Sequence, residues 1–181
     1  MKLALAPLAL AVVLVAGCGG GGSSSSSSEP SPKDWADGLC SSITTWSDSV
    51  KTAGESLKAG SLSKDSLKNA TDDIKTATNQ FADDLKGLGK PNTDGGQQAK
   101  EAIDELSNQV KHDVDELEST VSKASGSGAS EAAAAASGIA TSLSTMSTHI
   151  AAAASKLQQA DAKGDLEQGF RDAPACKKLS S

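Results

Sequence analysis

Apolar residues return every three or four positions through four long stretches of this chain. That spacing is the mark of one buried face on a helix. The first stretch opens at Ser31-Pro32-Lys33-Asp34, where Ser31 can cap, Pro32 suits the first helical position and Asp34 favours the positive end of the dipole. Its stripe runs Trp35, Leu39, Ile43, Trp46, Val50, Ala53 and Leu57, and Gly60 supplies a stop. The second runs from about Ser63 to Gly87 through Leu67, Ala70, Ile74, Ala77, Phe81, Leu85 and Leu88, with Gly87, Gly89 and Pro91 to end it.

The third stretch starts near Thr93-Asp94, either of which can cap, and carries Ala99, Ile103, Leu106, Val110, Val114, Leu117, Val121 and Ala124. Ser125-Gly126-Ser127-Gly128 reads as a loop. The fourth starts at Ser130-Glu131 and carries Ala132, Ala135, Ile139, Leu143, Met146, Ile150, Ala153, Leu157 and Ala160 before Lys163-Gly164 closes it. Period-two runs of β-branched residues do not occur, so no strand competes. Short connections force neighbouring helices to be antiparallel. The pattern therefore predicts an all-α protein, an up-down-up-down antiparallel four-helix bundle with a short C-terminal segment. Each rod should be about 40 Å long at 1.5 Å per residue. The stripes are narrow, which predicts coiled-coil-like packing, and the Ala-rich fourth helix should lie close to its neighbours.

A different apolar pattern precedes the bundle. Lys2 supplies a positive start and Leu3 to Val15 form a continuous apolar run. At about 13 residues it falls short of the roughly 20 that a membrane-crossing helix needs, and it fits the core of an export signal. Val15-Ala16-Gly17-Cys18 then closes it with small residues ahead of a thiol. This ending resembles the lipobox of bacterial lipoproteins. The resemblance implies that Cys18 receives a diacylglycerol, is acylated, and becomes the first mature residue at the outer face of the cytoplasmic membrane. Two acyl chains suffice for stable attachment.

Gly19 to Gly22, Ser23 to Ser28 and Glu29-Pro30-Ser31 follow. Such a stretch buries too little apolar surface to offset its ordering entropy, and it should act as a flexible tether with a reach of ~20 Å. The expected organisation is a signal peptide over 1–17, a lipidated cysteine and Gly/Ser linker over 18–31, and a helical domain over 32–181. The lipobox, tether and composition resemble small surface lipoproteins of actinobacteria. The Trp35 to Cys40 start and the late Cys176 are similar to helical lipoproteins of that group. The resemblance implies an address and no activity.

With Cys18 committed to lipid, two of the three cysteines remain. Cys40 lies early in the first helix and Cys176 beyond the fourth. An up-down-up-down order puts those two regions at the same end, and an exported compartment permits oxidation. A Cys40–Cys176 disulfide is predicted, with Trp35 and Phe170 packed beside it and the tail pinned across the bundle end.

Composition narrows the function more than it defines it. The chain carries 17 basic and 23 acidic residues, a net charge of −6, with two Trp, two Phe and no Tyr. Its sole arginine is Arg171. Phosphate clamps and base-stacking platforms are missing, so nucleic acid is an unsuitable partner. His112 and His149 are the only histidines, and Gln109 and Met146 precede them by three, so the Glu-x-x-His motif of di-metal bundles is missing. Met146 on the core stripe beside His149 reads as a packed methionine and a boundary histidine.

The acidic groups Asp72-Asp73, Asp83-Asp84, Asp104-Glu105 and Asp113, Asp115, Glu116, Glu118 read as solvated faces with lysine support. Ser61-Leu62-Ser63-Lys64 spells Ser-x-x-Lys but sits where a helix cap is expected. No cofactor, catalytic residue or metal ligand is expected. Trp46 needs room in an Ala-rich bundle. It either fills the core or lines a cavity between helices, where bundles place ligands. The expected function is a non-enzymatic, membrane-anchored interaction or structural domain of the cell envelope. The alternative is a carrier of a small apolar ligand or lipid.

Overall fold

The computed structural model of the chain describes residues 29–59, 63–123, 128–161 and 163–179. Cys18, the Gly/Ser stretch through Ser28, Gly60 and the 125–127 part of the third loop lie outside the described residues. The four stripes form four long antiparallel helices: α1 (Pro32–Ala59), α2 (Lys64–Gly87), α3 (Gly96–Lys123) and α4 (Ala129–Ala160). Two short helices follow, α5 (Asp165–Asp172) and α6 (Pro174–Leu179).

Local chemistry sets most of the ends. Ser31 Oγ accepts the Asp34 backbone N–H at 3.2 Å and starts α1. Ser63 and Ser66 cap each other reciprocally at the start of α2, each hydroxyl taking the other's backbone N–H, at 3.1 and 2.9 Å. Ser63 and Lys64 of the Ser-x-x-Lys sequence thus form a helix start, whereas Ser61 and Leu62 lie outside the described residues. α3 starts later than Thr93-Asp94. The Thr93 carbonyl accepts Gly96 N–H in a turn, and the Gly95 carbonyl opens the helix by accepting Ala99 N–H at 2.9 Å. A Cβ at Gly95 would lie 1.9 Å from the Ala160 carbonyl oxygen, so the chain passes the end of α4 where only glycine fits.

The stripes bury as their spacing predicts. A large cluster gathers Trp35, Trp46, Phe81, Leu85, Ile103, Leu106, Val110 and Met146. A second, smaller in its side chains, gathers Ala53, Ala70, Ile74, Leu117, Ala132, Ala135 and Ile139. Burial also reaches Thr78, Ser107 and Asp113, which lie off the apolar stripes. Ser107 Oγ donates to the Ala82 carbonyl at 2.9 Å and so ties α3 to the backbone of α2.

The four helices do not close into a ring. α1 packs on α2, α2 on α3 and α3 on α4, and α2 also approaches α4 across the diagonal. Among the described residues, no Cα of α1 comes within 8 Å of one in α4. α5 packs on α1 and touches α4, and α6 packs on α1. One end of the open seam is thus spanned by the tail.

The tail is fastened at five places. Both oxygens of the Asp161 carboxylate cap α5, accepting Leu166 N–H at 2.9 Å and Glu167 N–H at 2.7 Å. A Cβ at Gly169 would lie 2.6 Å from the Pro32 carbonyl oxygen, so α5 meets the start of α1 backbone to backbone. Phe170 stands edge-on to Trp35, with ring centroids 6.3 Å apart. Asp37 Oδ1 accepts the Ala175 N–H of α6 at 2.7 Å. The Cys40–Cys176 disulfide joins α1 to α6, with a Cα–Cα distance of 5.0 Å.

Two residues ahead of α1 also make contacts. Glu29 pairs with Lys90 at 2.7 Å, and the Pro30 carbonyl accepts Asn92 N–H at 2.9 Å. Residues 29 and 30 therefore lie against the α2–α3 connection. Trp35 Nε1 donates to the Gly89 carbonyl of that same connection at 3.1 Å, where Gly89 has a φ of 67°.

Candidate functional site

Trp46 is buried, stacks on Phe81 with centroids 5.4 Å apart, and donates from Nε1 to Thr78 Oγ1 at 3.0 Å. Phe81 and Thr78 occupy successive turns of α2, so one indole fills the space beside both. Its bulk and its N–H are accounted for within the core.

Among the described residues, an apolar cavity lies elsewhere, in the open α1/α4 seam. Its floor is Ile103 and Leu106 of α3, and one wall is Leu39 and Ile43 of α1. The other wall is Ile150, Ala153 and Leu157 of α4, with Leu166 and Phe170 of α5 spanning the end. The volume is about 320 Å³. That is at the small end of the roughly 300–1,000 Å³ of ligand pockets. Trp46 does not line it. Its lining residues Leu39, Ile43, Ile103, Leu106, Ile150, Ala153 and Leu157 were legible as core positions. What the stripes alone could not give is that the α1 and α4 faces stay apart. The one signal in the sequence is Leu166 and Phe170, spaced as one face of a short helix with no fifth long helix to cover them.

The polar lining of this groove comes from one corner, where α4 ends and α5 begins: Gln158, Asp161 and Glu167. No lysine, arginine or histidine lines it.

Asp113 corrects the expectation for the acidic clusters. It is 3% exposed, and its Oδ2 lies 2.8 Å from Nδ1 of His149, across the α3–α4 interface. One helix position separates it from its solvated neighbours: Asp113 adjoins the buried Val114, whereas Asp115 and Glu116 are exposed. His149 is only partly covered, the boundary position expected of it, and Met146 is fully buried. The other acidic groups meet lysines at the surface, as in Lys68–Asp72, Lys111–Asp83 and Lys75–Glu118. His112 is exposed, 3.5 Å from Glu116.

Among the described residues, no three His, Cys, Asp or Glu side chains gather to hold a metal ion. No described helix is long and apolar enough to cross a membrane. Fold and site together define an open, disulfide-stapled helical bundle with an apolar groove between its first and fourth helices. Compared with protein families, with curated proteins and with solved structures, the chain matches none.

Proposed function

We propose that this chain is a lipid-anchored, extracytoplasmic binding domain without catalytic activity, which holds a small apolar ligand in the α1/α4 groove. The observation that carries the reading is the groove itself: aliphatic walls drawn from four helices, with polar groups at one corner only. A bundle that served only as a spacer would gain stability by closing α1 onto α4, since each buried methylene is worth about 0.8 kcal/mol. The anchor rests on the Val15-Ala16-Gly17-Cys18 resemblance, and the disulfide agrees with an oxidising compartment.

A series of straight-chain 1-alkanols tests the binding reading by calorimetry and tryptophan fluorescence. Trp35 touches the groove wall through Phe170, so occupancy should change its emission. Affinity should rise ~4-fold per added methylene until the groove is full. Flat titrations across the series would sink the reading. The anchor is tested separately, by mass spectrometry of the mature N-terminus and by the release of a Cys18→Ala variant from membranes.

A further inference from the structure

We infer that the α1/α4 groove holds one acyl chain of the protein's own Cys18. The inference rests on the binding and anchor readings above and names the occupant of that site.

The groove has the shape of a single hydrocarbon chain. From Ile150 to Asp161 along α4 is roughly 16 Å at 1.5 Å per residue, and the volume of about 320 Å³ is roughly twice a cavity that admits benzene. A helix, about 10 Å across, needs several times that volume.

The charges at its α5 corner suit an occupant without charge. The ionisable side chains that line the groove are Asp161 and Glu167. Both oxygens of Asp161 cap α5, and Glu167 pairs with Arg171. Lys163, close by in the chain, pairs with Asp94. A charged headgroup here would have to displace one of these partners, whereas an ester-linked acyl chain brings no charge to place.

The point where the chain enters the bundle selects the chain's own lipid among apolar ligands. Glu29 and Pro30 lie against the α2–α3 connection. Gly95 of that connection abuts Ala160, the neighbour of groove-lining Asp161. Pro32 is three Cα steps past Glu29, at most about 11 Å, and its carbonyl meets Gly169, the neighbour of groove-lining Phe170. The chain therefore enters at the end of the bundle that holds the α5 corner. Cys18 precedes Glu29 by eleven positions, a length that spans up to about 40 Å when extended, twice the ~20 Å breadth of two adjacent helices. A ligand on so short a tether has an effective concentration on the order of millimolar, which favours it over free lipid of equal affinity. The other acyl chains stay in the bilayer, so docking of one holds the α5 end of the bundle near the membrane.

Photo-crosslinking of the full chain in membranes tests this. Cells that export the protein are fed a long-chain fatty acid with a diazirine at its far end, and intact mass shows whether Cys18 carries it. After irradiation, peptide mass spectrometry maps the labelled residues. The acyl chain enters from the α5 corner, so its far end should label the segments around Ile43 of α1 and Ile150 of α4 within the same chain. Ala154→Phe, which places a ring in the groove from an exposed position of α4, should lose that labelling and shift it to phospholipid. In parallel, the unlipidated Cys18→Ala protein is titrated with 1-dodecanol. Labelling of phospholipid alone, while Cys18→Ala binds dodecanol, overturns the inference and leaves the apolar site standing. Labelling of a second copy, seen as a covalent dimer, overturns it too, as does labelling of Ile43 and Ile150 that survives Ala154→Phe. Failure of Cys18→Ala to bind dodecanol overturns the site itself, and a Cys18 without the probe overturns the anchor.

Discussion

Removing the disulfide is the sharpest test of how the tail holds this bundle. In a Cys40→Ser/Cys176→Ser variant the loop of 136 residues between the two positions opens. Chain-entropy arithmetic sets the loss at about 5 kcal/mol as an upper bound. A domain of this size shifts its melting temperature by roughly 2–4 °C per kcal/mol, so the variant should melt lower by up to about 10–20 °C. The bound is reached only if the tail remains docked until the whole domain unfolds. Its other fastenings favour that: the Phe170–Trp35 contact, the Gly169 approach to Pro32, and the Asp37 bond to Ala175 N–H.

Urea unfolding is followed by circular dichroism and by tryptophan emission. The two transitions should coincide, with a lower midpoint and a steeper denaturant dependence than the oxidised protein, because the freed chain expands on unfolding. An early emission change that exposes Trp35 while helicity persists would show that the tail detaches first. The loss in global stability would then be smaller. Equal midpoints for the variant and the oxidised protein, with coincident probes, would refute the loop-closure reasoning.

Glycines give paired outcomes. Gly95→Ala drives a Cβ into the Ala160 carbonyl and should cost about 1–3 kcal/mol, whereas Gly54→Ala in α1 meets nothing within 4 Å and should stabilise by roughly 0.5–1 kcal/mol; thermal melts read both. Asp113→Leu alone should cost about 1–3 kcal/mol by stranding His149, and adding His149→Phe should recover most of it, as a double-mutant cycle will show. The Asp94 carboxyl is held below the ordinary carboxylate range, first by the hydrogen bond from Lys163 and then by its charge. A lowered folded-state value stabilises above the unfolded one and is lost as pH falls through it. Asp94→Asn should therefore lower the melting temperature slightly at pH 7 and leave it unchanged near pH 2.

Four helices, their antiparallel order and the meeting of Cys40 with Cys176 were all readable along the chain. Helical periodicity is local: a side chain's direction follows from its position in the 3.6-residue turn, so a stripe such as Leu67, Ala70, Ile74 reads without knowing its partner. Caps are local too, and Ser31 and Ser63 declared theirs. Trp46 and Asp113 show where locality ends. Whether an indole fills a core or lines a cavity depends on Thr78 and Phe81 of another helix. Whether an aspartate on a polar run is solvated depends on His149, which reaches it from α4. The groove is the largest such decision. Spacing marks Ile43 and Ile150 as core residues alike, but the separation of their helices is set by contacts distant in sequence. The diagonal approach of α4 to α2 and the docking of α5 on α1 leave the α1/α4 seam open. Sequence periodicity thus marks which faces are apolar, and only tertiary packing decides that the seam between α1 and α4 stays open.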